Sequence, residues 1–145
     1  MEKKDLDVIF SHKNDDWSTP QEFYDTLDRE FHFDIDVCAD ATNAKCANYW
    51  TIDDNGLDQD WGGHTCFCNP PYSDAKEWVR KAYEESQKPG TTIVLLVPAR
   101  TDTRYFHNYI YHKAEIRFVK GRLKFGGSKN SAPFPSMVVI YRSVD

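Results

Sequence analysis

Residues 66–72 read Cys-Phe-Cys-Asn-Pro-Pro-Tyr, a short apolar run that stops at a polar, proline-rich turn. The run predicts a buried strand. The two prolines predict a stiff turn after it, because each fixes φ at about −65° and lacks a backbone N–H. Their carbonyl groups remain able to accept hydrogen bonds. The stretch therefore places an amide side chain, a rigid carbonyl and an aromatic ring side by side where a strand ends.

Helices and strands are predicted to alternate on either side of this strand. Phe23, Leu27 and Phe31 have helical spacing and predict a helix over 20–31, with Thr19 and Glu22 at capping-box spacing and a proline in the first turn. The other predicted elements are a strand at 33–39, a turn with a short helix at 40–47, a brief strand at 49–52, a helix at 73–87, a strand at 93–97, a helix at 102–111, and strands at 115–119 and 137–141.

This alternation predicts an α/β fold with a mostly parallel sheet and helices on both faces. The length of 145 residues indicates one compact domain, over 18–145, after a loose polar lead-in over 1–17. Ligand sites in such folds lie at the carboxyl ends of the strands. Three stretches meet that condition, Asp36–Ala39, Asn69–Tyr72 and Pro98–Arg100, so we expect them to converge at one edge of the sheet.

Composition indicates an ordinary cytoplasmic protein. Hydrophobic residues make up 40% and charged residues 28%, and no apolar run approaches the length of a membrane span. The N-terminal Met-Glu-Lys-Lys-Asp is too charged for a secretory signal. The four cysteines have no zinc-site spacing and are expected to be small buried residues, Cys66 and Cys68 on one face of their strand. We expect no metal and no membrane partner.

Charge is distributed unevenly along the chain. Residues 1–75 hold 17 acidic and 5 basic residues, whereas residues 76–145 hold 6 acidic and 13 basic ones, within a net charge of −5. Such asymmetry points to polyanion binding by one face, although a solvated charged surface explains it as well. The candidates for phosphate contacts are Arg100, Arg104, Arg122, Lys124 and Lys129.

The Asn-Pro-Pro-Tyr turn suits an exocyclic amino group on a flat ring. The two N–H bonds of such a group can point to the Asn69 side chain and the Pro70 carbonyl, while Tyr72 stacks on the ring. A strand end stopped by prolines, with a packed tyrosine, is the structural alternative.

When the segments before and after this turn are included, the chain resembles the phage-type, Dam-like DNA N6-adenine methyltransferases, a compact family of class I methyltransferases. The resemblance runs from about Ser18 to Arg142. It is carried by Thr19-Pro20, Asp34–Ala39, Gly56-Leu57 with Asp60-Trp61, Asn69–Tyr72, Pro98–Thr103 and Gly121–Phe125. It implies a Rossmann-like fold, S-adenosylmethionine as cofactor, DNA as partner, and methylation of a flipped adenine held by Asn69, Pro70, Pro71 and Tyr72.

The same resemblance implies a cofactor site. Asp36, Cys38 and Ala39 would form the cofactor loop, although no glycine occurs before residue 56 to match the usual glycine-containing loop. Thr19, next to Pro20, would touch the methionine end of the cofactor, to which Asn69 is also adjacent.

Two further cofactor contacts follow from the resemblance. Asp53 or Asp54 would hold the ribose, and Asp60 with Trp61 would meet the adenine of the cofactor. The structural alternatives are a helix-capping Asp36, turn acids at 53 and 54, and a core Trp61.

Other activities remain open to such a sequence. The same arrangement of two hydrogen-bond acceptors and an aromatic ring suits RNA adenine or a protein glutamine side chain. The fold could also serve as a catalytically silent nucleic-acid-binding module. The basic second half favours nucleic acid over protein, and the intact Asn69 and Asp36 favour an active enzyme. In a phage or prophage, the location would be the cytoplasm of the host cell.

Overall fold

The computed structural model describes residues 18–125 and 132–143, so the lead-in expected over 1–17 and Lys129 lie outside the described residues. The helices are α1 (Gln21–Phe31) and α2 (Ala75–Ser86), and the strands are β1 (Ile35–Asp36), β2 (Thr65–Cys68), β3 (Thr92–Pro98), β4 (Glu115–Phe118) and β5 (Ser136–Tyr141). Short 3-10 turns cover Gly56–Asp58 and Tyr72–Asp74, and a π-helical segment covers Phe106–Ile110.

The strands form one mixed sheet in the order β1-β2-β3-β5-β4. The β1–β2 and β2–β3 pairings are parallel, whereas β3–β5 and β5–β4 are antiparallel. The expected parallel character therefore holds for β1 to β3 only. Because β5 runs against its neighbours, its first residue, Ser136, lies opposite Pro98, the last residue of β3. One edge of the sheet thus collects the ends of β1, β2 and β3 and the beginning of β5.

Hydrophobic cores cover both faces of the sheet. On one face, Tyr24 and Leu27 of α1 pack with Phe67, Val94 and the other inward residues of that side. The second face has a core of its own, built from α2, the π-helical segment and a second set of strand residues.

The second core shows which residues of β2 share a face of the sheet. Trp78 and Val79 of α2 pack against Cys66, Cys68 and Leu95. The α/β class, the helices on both faces and the shared face of the two cysteines are confirmed.

Local side-chain hydrogen bonds explain where the predicted elements differ from the structure. In 40–47 the Asp40 carboxylate accepts the N–H groups of Thr42 and Asn43, which holds a turn where a short helix was expected. The strand predicted over 49–52 is reduced to one bridge between Tyr49 and Asp36. The strand expected over 33–39 keeps two residues in the ladder.

The first helix begins differently from the prediction. Pro20 is its N-cap residue rather than part of its first turn, and no side chain caps the helix, so the capping box of Thr19 and Glu22 does not form. The hydroxyl of Thr19 contacts Asn69 instead. Within the described residues, no helix combines the length and the apolar character needed to cross a membrane.

Candidate active site

A cavity of about 500 Å³ opens at the edge where β1, β2 and β3 end. Its volume is within the range of about 300–1,000 Å³ that small-molecule sites occupy. The turn after β2, Asn69–Tyr72, lies in the middle of its wall. The β1 side of the wall is formed by Val37, Cys38, Ala39, Trp50, Ile52 and Leu57. The opposite side is formed by Leu96, Pro98, Phe125, Phe134 and Ser136.

The Asn-Pro-Pro-Tyr turn is shaped by its prolines. Pro71 has φ −55° and ψ 126°, an extended conformation, and its carbonyl accepts the N–H of Asp74 at 2.9 Å. The chain then enters a 3-10 turn that leads directly into α2. All four residues of the motif consequently line one cavity.

Asn69 is held by a residue far away in sequence. Its Nδ2 donates to Thr19 Oγ1 at 2.9 Å, and Thr19 is only 3% exposed. Because an amide presents its nitrogen and oxygen in opposite directions, this bond fixes how the Asn69 side chain is turned about its own axis.

The wall beyond Tyr72 is aromatic. The ring of Phe134 lies 5.5 Å from that of Tyr72 and 6.2 Å from that of Phe125. A backbone bond of 2.8 Å from Ala132 N to Leu123 O joins the two chain segments that carry these phenylalanines. Phe125, Phe134 and Ser136 were not among the predicted site residues. The sequence feature that could have indicated Phe134 and Ser136 is the stretch Phe134-Pro135-Ser136, an aromatic residue and a proline directly before a predicted strand.

Asp36 does not line the large cavity but holds the loop after β1 through hydrogen bonds to its backbone. It is 3% exposed, and its carboxylate accepts the backbone N–H groups of Cys38 and Lys45 at 3.3 and 3.1 Å. Burial raises the pKa of Asp36 to about 6, and these two hydrogen bonds oppose that rise. A small polar pocket beside Asp36 is shared by Thr19, Lys45 and Asn69.

The β1 side of the cavity presents an exposed apolar surface. The side chain of Ile52 is 91% exposed at the rim. Below it, Gly56 sits so close to β1 that a Cβ would collide with the Val37 carbonyl and press on Trp78. Any larger residue at position 56 would force Val37 or Trp78 to shift, so the glycine allows this part of the wall to pack closely against the end of β1.

Besides Pro20, four of the predicted cofactor residues do not line either pocket. Asp54 accepts from the N–H of Thr51 at 2.8 Å, and Asp53 is exposed in the same turn. Asp60 forms an ion pair with Lys88 at 2.8 Å, away from the cavity. Trp61 is fully buried in the core, where its Nε1 donates to the Gly56 carbonyl at 2.8 Å.

The remaining predicted residues that the structure describes line neither pocket. Pro20 is the N-cap residue of α1. Arg100 follows β3, and Arg104 begins the helical segment after it. Arg122 and Lys124 follow β4, whose carboxyl end lies at the same edge of the sheet. All four basic side chains are exposed.

The site contains no features of metal or thiol chemistry in the residues described. Over 18–125 and 132–143, no group of His, Cys, Asp or Glu side chains is arranged to hold a metal ion. Burial raises the pKa of Cys38 to about 12 and that of Cys68 well above its usual value. These thiols therefore remain neutral and are poor nucleophiles at physiological pH.

Comparison with known proteins identifies relatives over most of the chain. A family model described as DNA N-6-adenine-methyltransferase (Dam) matches residues 8–145. A protein of Haemophilus phage HP1 named DNA N-6-adenine-methyltransferase is 30% identical over 133 residues, which cover 86% of this chain and 77% of the relative. A protein of the same name from Escherichia phage T1 is 32% identical over 109 residues, which cover 74% of this chain and 45% of that protein.

Proposed function

The chain belongs to the DNA N-6-adenine-methyltransferase (Dam) family, and on this premise we propose that it methylates the N6 amino group of adenine in DNA with S-adenosylmethionine as the methyl donor. The observation that carries the proposal is that the Asn69–Tyr72 turn, which follows the strand between β1 and β3, lines the same cavity as residues that follow β1 and residues of β3 and β5. A cofactor on the β1 side and a base on the β3–β5 side would meet at that turn, where the polar acceptors are.

The β1 side suits the cofactor by its shape and its chemistry. Trp50, Ile52 and Leu57 offer apolar surface to a flat adenine ring, and Cys38 with Ala39 presents a small-residue loop beside it. Asp53 stays our candidate for the ribose, because the carboxylate of Asp54 is engaged with Thr51. When bound, S-adenosylmethionine supplies an electrophilic methyl group on a sulfonium.

The small polar pocket suits the charged methionine end of the cofactor. Asn43 and Lys45 border it together with Thr19. We propose no cofactor contact for Asp60 or Trp61, because Asp60 forms an ion pair with Lys88 and Trp61 is buried in the core.

The target amine is proposed to bind at the turn itself. The Asn69 amide oxygen and the Pro70 carbonyl accept its two N–H bonds, and Tyr72 stacks on the purine ring. Drawing both hydrogens toward fixed acceptors localises the nitrogen lone pair and directs it away from the ring. The residues thus act by alignment and electrostatics, without a covalent intermediate.

Access to the target requires a flipped base. The N6 atom of a paired adenine is enclosed in the duplex stack, so the base has to leave it to reach a cavity of this depth. The exposed Arg100, Arg104, Arg122 and Lys124 follow β3 and β4, whose ends lie at the same edge of the sheet as the cavity, and are proposed to hold the flanking phosphates. The acidic net charge does not oppose this binding, because the excess of acidic residues lies in the first half of the sequence.

The direct test measures transfer of a labelled methyl group from S-adenosylmethionine to duplex DNA, RNA and a glutamine-containing protein. We expect label on DNA, recovered as N6-methyladenine after digestion. Cofactor binding, measured separately by calorimetry, should also raise thermal stability, by about 2.7 kcal/mol at a hundredfold excess over Kd. Label found only on RNA or protein would show that the substrate is not DNA. No methyl transfer despite tight cofactor binding would indicate a catalytically silent module.

A further inference from the structure

One buried serine that lines the cavity has a hydroxyl that forms no hydrogen bond with any described residue. Ser136 is 1% exposed, and its Oγ has no hydrogen-bond partner in the part of the chain that the structure describes. Its backbone is part of the sheet, where Ser136 pairs with Pro98 and its carbonyl accepts the N–H of Val119 at 3.0 Å. The side-chain hydroxyl takes no part in this pairing.

Such an arrangement is unfavourable for folding alone. A buried hydroxyl without a partner loses its hydrogen bonds to water and gains none in return, so alanine at this position would serve the folded state at least as well. The position also lines the cavity, on the side of Phe125 and Phe134. An unsatisfied polar group at the wall of a binding cavity indicates a partner that arrives with the ligand.

The surroundings of Ser136 define the kind of ligand. Pro98 pairs with Ser136 in the sheet, and Leu96 lines the same side of the cavity. The rings of Phe134 and Tyr72, which also line the cavity, lie 5.5 Å apart. This apolar, aromatic space fits the face of a flat heterocycle, and a single hydroxyl provides one directional bond to its edge. The ring nitrogens of adenine, N1, N3 and N7, are acceptors that such a hydroxyl can reach in the plane of the base.

We propose that the Ser136 hydroxyl donates a hydrogen bond to a ring nitrogen of the flipped adenine. The inference rests on the proposed function and adds a second anchor to it. Asn69 and Pro70 hold the amino group at the centre of the cavity, whereas Ser136 lies on its β5 side. Two anchors fix the rotation of the base in its own plane, which one anchor cannot do, and so direct the N6 nitrogen consistently.

The first experiment compares Ser136→Ala with the wild-type protein. We expect kcat/KM for methylation of DNA to fall about tenfold, the usual effect of losing one hydrogen bond, with cofactor affinity unchanged. The thermal midpoint should stay the same or rise, because the substitution removes an unsatisfied group.

The matched control is Ser86→Ala at the end of α2. Ser86 is also buried, at 4% exposure, but its hydroxyl donates to the Tyr83 carbonyl at 2.7 Å. This variant should lower the thermal midpoint and leave kcat/KM unchanged. If Ser136→Ala also lowers the midpoint, or keeps wild-type kcat/KM, the hydroxyl has a structural role and the proposal is wrong.

The second experiment identifies the bond by its acceptor. Oligonucleotides carry 1-deaza-, 3-deaza- or 7-deazaadenine at the methylated position, and each is assayed with wild type and Ser136→Ala. For one analogue the wild-type protein should lose about tenfold in kcat/KM while the variant shows no additional loss. Equal losses in both proteins for all three analogues would overturn the proposal. Absence of wild-type activity on ordinary adenine would instead refute the proposed function itself.

Discussion

Replacing Asp36 by Asn should change how the stability of the protein depends on pH. Burial raises the pKa of Asp36 from 3.8 to about 6 in the folded state. Each pKa unit corresponds to about 1.4 kcal/mol, so the two states differ by about 3 kcal/mol in their preference for protonated Asp36. The folded state binds this proton more tightly. The stabilising contribution of the group is therefore complete below about pH 4 and is lost as the pH rises to about 6.

The measurement is urea unfolding of wild type and Asp36→Asn from pH 4 to pH 8. The free energy of unfolding of the wild type, minus that of the variant, should decrease by up to about 3 kcal/mol between pH 4 and pH 7. Asn also disrupts one of the bonds to the N–H groups of Cys38 and Lys45, because its NH₂ cannot accept. That loss does not depend on pH and shifts the whole curve without changing its slope.

Asp40→Asn is the matched control for this measurement. Burial alone would raise the pKa of Asp40, but hydrogen bonds from Thr42 and Asn43 outweigh it and lower the pKa. Its contribution is present above its ordinary pKa and is lost only at lower pH, so the difference curve should be flat from pH 5 to pH 8. A flat curve for Asp36→Asn, or one that rises with pH, would show that the backbone donors outweigh the burial of Asp36.

Three further predictions concern the reaction and the partner. Asn69→Ala should lower kcat by about 10²–10³ with cofactor affinity near wild type, measured by steady-state kinetics and calorimetry, because the lost interaction belongs to the transition state. Thr19→Val should lower kcat but cause no further loss when combined with Asn69→Ala, since Thr19 orients that amide. If the substitution only weakened cofactor binding, Thr19 would contact the methionine end without orienting Asn69. Arg122→Ala and Lys124→Ala should each reduce the slope of log K for DNA binding against log salt by about 0.9, whereas Lys113→Ala, before β4, should leave it unchanged.

The sequence predicted the elements whose pattern is set by their own residues. The strand over 92–98 is a continuous apolar run, and the helix over 75–86 has its apolar residues at helical spacing, so both formed within two residues of prediction. The turn predicted within 40–47 is present, but the short helix predicted with it is not, because the Asp40 carboxylate binds two backbone N–H groups and stabilises the turn. Propensity over eight residues is a weaker influence than such a local bond.

The site was predicted only as far as the rule for parallel strands applies. That rule places functional residues where strands end, and it located Asn69 and the loop after Asp36. Strand β5 is reversed in the sheet, so its beginning, not its end, reaches the same edge. No local pattern in the sequence reveals the direction of a strand, because alternation and apolar runs look the same both ways.

The reversal therefore hid Phe134 and Ser136 from a reading based on strand ends. The case of Trp61 is the opposite. Its position in a motif suggested a ligand contact, but the Gly56 carbonyl and the Glu85 carboxylate bind its two N–H groups inside the core. An N–H group that already donates to the protein is not available to a ligand. The Ser136 hydroxyl, which has no hydrogen-bond partner among the described residues, can still donate to one.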